Sequence, residues 1–417
     1  MSPLRDRRFV ALLAGQAVNG IGSWCALVAL WGYAAYRFHA TPAEIAILSL
    51  SWSLPAALFG PLGGVPVDRF GPRRALIVAD GLAACVAVAL VFSSSFAQLV
   101  VLGACTGLTR CVSDPAFSAL APRLVDDDQL LRANALLGAA MMSSIAFGPL
   151  LAAGAIAGWG PRGAFVVDAI TYLVGIAVVL PLRLRPLAIR PVRTSAWHEL
   201  KSGLHIVRES AVSRRILTLS ASVYLVWGAY AVIEPIYVRD VLHRPASIFA
   251  LLQAAFGVLL LTNALLIARL GDSVARFRTL RVAALGATIA APIYVGTHSV
   301  AIAFCGIAIW GAATAWLIAP RDTLLQRATP VEAHGRVLAL DSSLRSWAHV
   351  IALPVAALLA GAFDVRIAAF TFAAMPVLGV LATRGSSREP VPSAAGPGAE
   401  HAPRVDAGLV TVAPADL

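Results

Sequence analysis

The feature that most constrains this chain is a succession of long apolar runs that are continuous rather than alternating. They lie near 9–36, 43–66, 75–94, 97–120, 130–158 and 163–183, then near 215–238, 246–269, 279–297, 299–319, 336–362 and 365–383. About 20 apolar residues let a helix cross the hydrocarbon core of a bilayer. Hydrocarbon offers the backbone no partners, so a spanning segment pairs its own N–H and C=O groups in a helix or in a closed barrel. A barrel strand alternates apolar and polar positions with a period of two. These runs do not alternate, so helices are expected. Only 13% of the residues are charged, about half the roughly 25% of a soluble domain. The expected fold is an all-α integral membrane protein with twelve transmembrane helices.

Charge sets the orientation. The net charge is +11, and Lys201 is the single lysine among 33 basic residues. With the N-terminus placed inside, Arg37, Arg162, Arg239, Arg244 and Arg366 fall outside and Arg110 and Arg345 lie within runs, which leaves 26 basic residues inside. That asymmetry puts both termini in the cytoplasm and gives the basic residues a role in topology and anionic-lipid contact, with no call for nucleic acid. Arg5, Arg7 and Arg8 precede a run too long for a signal-peptide core, which reads as a first spanning helix of the cytoplasmic membrane. Cys25, Cys85, Cys105, Cys111 and Cys305 fall inside apolar runs without metal or redox spacing, so free buried thiols are expected.

Four segments follow: a six-helix bundle over 1–183, a cytoplasmic loop over 184–214, a second bundle over 215–383 and a disordered cytoplasmic tail over 384–417. In the loop, Trp197, Leu200, Leu204 and Val207 recur at helical spacing, which predicts an amphipathic helix on the membrane surface. The tail is rich in Pro, Ala and Gly.

The bundles echo each other. "RLVDDDQLLRANAL", 123–136, aligns with "RATPVEAHGRVLAL", 327–340, and Pro115 with Pro320 and Pro149 with Pro354 keep nearly the same offset. That offset carries Asp68 onto Asp272 and Arg74 onto Arg278, while Ala275 stands in place of Gly71 and Ser273 in place of Arg69. A duplicated six-helix unit implies two pseudo-symmetric bundles with a substrate path between them near the midplane.

Between the second and third runs stands "GGVPVDRFGPRR", 63–74. Gly64, Asp68, Arg69, Gly71, Arg73 and Arg74 resemble, position for position, the loop after the second helix of the major facilitator superfamily. Helix count, central loop and repeat extend the resemblance over 5–383. It implies a secondary transporter working by alternating access, with this corner as a conformational latch whose Asp68 meets a helix N-terminus of the other bundle; a merely solvated turn is the alternative. Asp272 belongs to the degenerate copy. Asp114 either completes the cluster or pairs locally with Arg110 at i,i+4. Gly148 and Pro149 on the fifth run resemble the motif of the superfamily's exporters, with Ser144, Ala152 and Ala153 replacing its other glycines. Scattered matches, "RANAL" among them, resemble the branch of siderophore and macrolide exporters. The resemblance therefore implies proton-coupled efflux of a small, partly apolar compound by a monomer. The alternatives are siderophore or metabolite carriage, in either direction, without proton coupling, and a transporter-like ligand sensor.

A charge inside a spanning helix costs about 3 kcal/mol at mid-depth, so each needs a reason. Asp341, Arg345 and His349 are spaced i, i+4, i+8 on one face, as an internal pair or as a proton-responsive group on the pathway. Arg110, Asp168 and Glu234 are further pathway candidates, Glu234 being otherwise an interfacial acid beside Arg239. The family's cavity helices here carry Gln16, Asn19, Trp24, Tyr224, Trp227, Trp310 and Trp316, each open to a packing reading as well. "VDDDQ" reads as a helix start with an acidic first turn rather than a metal-diphosphate site. No phosphate loop, His/Cys cluster or catalytic constellation is present in the sequence, so no ATP site, metal, cofactor or enzymatic activity is expected.

Overall fold

The computed structural model describes residues 3–126, 129–182, 196–329 and 333–383, apart from the side chains at 61, 121, 131, 196–200, 272 and 335. The expectations for the tail, most of the central loop, Asp127, Asp128, and the side chains of Trp197, Leu200 and Asp272 lie outside the described residues.

The helices are α1 Arg7–Arg37, α2 Pro42–Phe59, α3 Gly64–Phe70, α4 Pro72–Val91, α5 Phe96–Ser118, α6 Leu130–Trp159 and α7 Pro161–Val179. After them come α8 Ala196–Glu209, α9 Ala211–Ile236, α10 Ala246–Leu270, α11 Phe277–Val295, α12 Val300–Arg327, α13 His334–Ala362, α14 Val365–Ala373 and α15 Met375–Ala382. Local chemistry fixes their ends. Thr41 with Glu44 and Ser95 with Gln98 close capping boxes at the starts of α2 and α5. Asp6 caps α1 by accepting from the Arg8 N–H at 2.8 Å, and the Arg8 guanidinium holds its carboxyl below the usual range. Gly160, at φ +72°, turns α6 into α7 with Pro161 at the first helical position.

Eleven spans, with α14 and α15 counted as one, are long and apolar enough to cross a membrane. The twelfth expected run, 279–297, is α11, and it falls short because Arg278 and Arg281 occupy its first turn and a half. It nevertheless packs as a full member of the bundle, against α12, α14 and α15.

The contacts repeat between halves. α1 packs on α6 and α7 as α9 packs on α13, α14 and α15; α2 pairs with α5 as α10 pairs with α12; α4 pairs with α5 as α11 pairs with α12. The halves join along two equivalent seams, α6 on α10 and α2 on α13. Small residues make the first seam possible: a Cβ on Gly257 of α10 would lie 2.2 Å from the Ile145 carbonyl oxygen of α6. His39 and His243, 204 residues apart, both take left-handed φ in the turns after α1 and α9, so the repeat extends to turn geometry.

The structure revises several expectations. The tenth run does not stop at 319: α12 continues through Pro320 to Arg327, which draws Arg321 from a loop into the helix, 2% exposed. α8 packs on α13 and α9; Val207 is buried but Leu204, expected on the same face, is exposed, and Gly203 comes up against the Arg336 carbonyl. All five cysteines are free, but Cys85 and Cys305 are exposed.

Candidate functional site

A cavity of ≈ 460 Å³ lies between the halves. Trp24 and Trp31 of α1, Trp52 of α2, Met141 and Pro149 of α6, and Tyr224, Trp227 and Tyr230 of α9 contribute to its wall, with Phe256 of α10 and Trp310 of α12. Its polar groups are few: Arg110 and Asp114 of α5, Glu234 of α9, Gln253 of α10, and Ser342, Arg345, Ser346 and His349 of α13 among them.

One end is shut. There Arg239 reaches across the halves and donates from Nη1 to the carbonyls of Ala35, at 2.7 Å, and Ala40, at 3.0 Å. Its other nitrogens grip the Asp240 carboxylate at 2.6 and 2.7 Å, which fixes the guanidinium plane. The Tyr36 hydroxyl adds a second crossing bond to the Arg244 carbonyl at 2.6 Å. The largest apolar core fills this end, with residues from 25–35 of α1 meeting residues from 226–236 of α9. The cavity opens at the other end, beside the 63–74 corner, where the Asp114 side chain is 69% exposed.

At that corner Gly71 adopts φ +80° and Pro72 starts α4. Asp68, Arg69 and Arg74 are exposed. Asp68 makes no hydrogen bond or ion pair with another described residue. Arg73 donates to the Leu180 carbonyl at the end of α7, Arg69 stacks over Phe70, and a Cβ on Gly64 would meet nothing. The tight neighbour is Gly63, whose Cβ would strike the Cys111 carbonyl. In the second copy the left-handed residue is Gly271, at φ +62°, followed by a 3₁₀ turn, so the reversal comes earlier than at Ala275.

Asp114 is engaged by Arg110 at 3.7 Å, and Arg110 lies over the Trp52 ring at 4.8 Å. Of the expected cavity residues, Trp24, Tyr224, Trp227 and Trp310 line the space; Gln16, Asn19 and Trp316 do not. Trp316 turns its indole N–H to Asn263 of α10 at 3.0 Å. Asn19 faces Gly175 of α7. Asp168 is enclosed within the first half, 4% exposed, with Oδ1 unpartnered among the described residues, and it is absent from the cavity wall. Gly148 seats α6 on α1, where its Cβ would lie 2.4 Å from that of Trp24. Ser144 takes the same seam, its Oγ filling the space over Gly20.

Asp341 is buried, 1% exposed, just behind the wall. Arg345 pairs with it at 2.9 Å and Arg321 approaches it at 3.8 Å. Arg321 also donates to Ser220 at 3.1 Å and to Asp322 at 2.7 Å, while Arg345 donates to the Tyr224 hydroxyl at 3.1 Å. Both guanidinium groups lie over the Tyr224 ring, at 5.9 and 5.2 Å. Glu234, 6% exposed, is not beside a free Arg239, because that guanidinium is taken by Asp240 and the α1 carbonyls. Sequence reasoning missed Arg321, Trp31, Trp52, Tyr230 and Phe256. One signal was available: Tyr224, Trp227, Ala231 and Glu234 recur every three or four residues, a single helical stripe.

A family model described as the Major Facilitator Superfamily matches residues 12–352 and 216–413. An uncharacterised MFS-type transporter of Bacillus subtilis, YfiS, is 24% identical over 372 residues, covering 87% of this chain and 89% of the relative. Macrolide efflux protein A of Streptococcus pyogenes is 22% identical over 371 residues, covering 86% and 90%. Among solved structures, a point mutant of the nucleoside transporter NupG superposes with a TM-score of 0.73 at 10% identity, over 90% of this chain and 99% of that one. A D-xylose–proton symporter reaches 0.69 at 17% identity, over 91% and 98%.

Proposed function

The chain belongs to the major facilitator superfamily, and from that premise we propose that it is a proton-coupled exporter of small, partly apolar compounds, working as a monomer in the cytoplasmic membrane with both termini inside. The observation that carries this reading is the aromatic cavity between the halves, closed at the Arg239 end and open at the 63–74 end. On the proposed topology it faces the cytoplasm, the side from which an exporter loads. The macrolide efflux relatives support export of a bulky substrate.

The two six-helix bundles would rock about the α6/α10 and α2/α13 seams. Asp68, Arg69, Arg73 and Arg74, with Asp114 and Asp272, would engage when the open end closes, so an exposed Asp68 fits the state seen here. Glu234 and the Asp341–Arg345 pair stand on or just behind the path. These carboxyls are the groups we propose to take up and release the proton.

Purified protein in liposomes tests the reading. An outward proton-motive exchange requires that an imposed pH gradient drive uphill movement of an apolar fluorescent dye, and that Glu234→Gln or Asp341→Asn alter its pH dependence. Dye flux indifferent to the gradient would end proton coupling; no flux of any compound in a folded, ligand-binding protein would end the export reading.

A further inference from the structure

The interior of the first half holds polar groups that the cavity does not use. Asp80 of α4 is 3% exposed and Asp168 of α7 is 4% exposed. Neither forms an ion pair among the described residues. Asp80 accepts from the Ser113 hydroxyl of α5 at 2.9 Å. Asp168 Oδ1 and the Asn19 Oδ1 of α1 are buried without a hydrogen bond among the described residues. Between them Ser23 of α1 and Tyr172 of α7 meet hydroxyl to hydroxyl at 3.2 Å. Arg110 of α5 is turned to Asp114 and the Trp52 ring. Both orphaned atoms are acceptors. A buried acceptor left without a donor is expensive, and a buried carboxylate without a cation more so.

The second half shows that the fold does not require these groups. The offset that carries Asp68 onto Asp272 carries Asn19 onto Val223, Asp80 onto Ala284, Ser113 onto Leu317 and Asp168 onto Phe372. All four are buried in apolar cores. The same offset carries Gly175 of α7 onto Gly379 of α15. A Cβ on Gly379 would lie 2.4 Å from Ser222 Oγ, whereas one on Gly175 would stand 3.8 Å from Asn19 Nδ2 and 3.9 Å from Asp80 Oδ2. The notch at Gly175 is open where its counterpart is filled, and polar atoms border it.

We propose that a sodium ion binds in this notch, held by the Asp80 carboxylate, the Asn19 side-chain carbonyl and the Ser113 hydroxyl. Half a turn of the Asn19 amide brings Oδ1 into the place of Nδ2. Oxygen donors of this kind suit hard cations. No three His, Cys, Asp or Glu side chains gather as a metal site among the described residues. Calcium, which takes about six to eight oxygens, is therefore short of ligands there. One carboxylate at the notch balances one charge, and Asp168, two turns along α7 from Gly175, adds its attraction across a low-dielectric interior. The ligands come from α1, α4 and α5, and α1 and α5 also carry Trp24 and Arg110 of the cavity wall. An ion that ties them together fixes the wall of the first half. The inference does not depend on what the cavity carries.

Retention of radioactive sodium by the purified full chain in lipid nanodiscs tests it, with choline chloride holding the ionic strength constant. Saturable retention is expected, and Asp80→Asn should weaken it at least about tenfold. Gly175→Ala, whose methyl group enters the notch, should weaken it too, while Gly154→Ala, whose Cβ meets nothing, should keep it. Absence of saturable retention by the wild type overturns the proposal, as does unchanged affinity in Asp80→Asn and Gly175→Ala. If Asp80→Asn does not fold, the wild type and Gly175→Ala decide. Sodium retained by a protein that moves no dye would sink the export reading and leave this site standing; dye flux by a protein that retains no sodium would do the reverse.

Discussion

Arg321 carries the clearest lesson at the scale of single residues. An arginine after a proline at the end of an apolar run reads as a loop, yet it lies inside α12, 2% exposed. Its burial is offset by Ser220, Asp322, Asp341 and the Tyr224 ring, drawn from three helices. Removing one member of a buried charge set strands the others, at about 3 kcal/mol or more. Arg321→Ala is therefore expected to lower the thermal midpoint of the detergent-solubilised protein substantially, and adding Asp341→Asn to recover part of the loss. A midpoint unchanged in the single variant would remove Arg321 from the network. Asp341 and Arg345 were legible as partners from their i,i+4 spacing; Arg321 was not, because the third member comes from another helix. The same holds for the shut end, where Arg239 finds its acceptors on α1 and in the turn after it, some 200 positions away.

Among elements, the spans were the most legible part. The ends of α2 and α5 follow from capping boxes that the sequence displays, and the turn at 63–74 from a glycine that can take positive φ. Gly71→Ala is expected to cost about 1–2 kcal/mol, seen as a lower thermal midpoint; no change would mean that the turn relaxes. The seams between elements were less legible. Gly257 sits in a run with few polar residues, and only its approach to the Ile145 carbonyl shows why a side chain is excluded. Gly257→Ala is expected to push α10 off α6 and to destabilise the protein by roughly 1–3 kcal/mol, with slower dye flux than an Ala substitution at Gly154, whose added Cβ would meet nothing. Equal behaviour of the two variants would dismiss the seam as a close-packed joint. α8 illustrates the opposite failure: the helix forms where the spacing predicts one, but Leu204 of the expected buried face is exposed, and the helix packs on the α13 surface at Arg336 through Gly203 and Ser202.

For the whole molecule, the question is what holds one end shut while the other stands open. Arg239 and Tyr36 bridge the halves at the shut end through hydrogen bonds to backbone carbonyls. Arg239→Ala removes two of these bonds and is expected to favour the opposite conformation. The check is a cysteine placed at Trp31 in a background with the five native cysteines replaced. Its labelling by an impermeant maleimide from outside the cell should rise several-fold with Arg239→Ala, by about the tenfold that 1.4 kcal/mol represents; equal rates would exclude Arg239 as a clamp. The sequence by itself determined that this chain enters lipid as a bundle of helices, that the bundle is duplicated, and which family it resembles. Those conclusions rest on a solvent constraint that acts on each segment separately, since every span must satisfy its own backbone, and on a motif carried within a dozen residues. Only the tertiary structure decided which faces meet in the cavity, that Arg321 completes a buried network, and that Glu234 has no basic partner among the described residues. Each of these depends on how helices rotate about their own axes, and that rotation is set by contacts such as Gly257 on Ile145, between residues that sequence order keeps far apart.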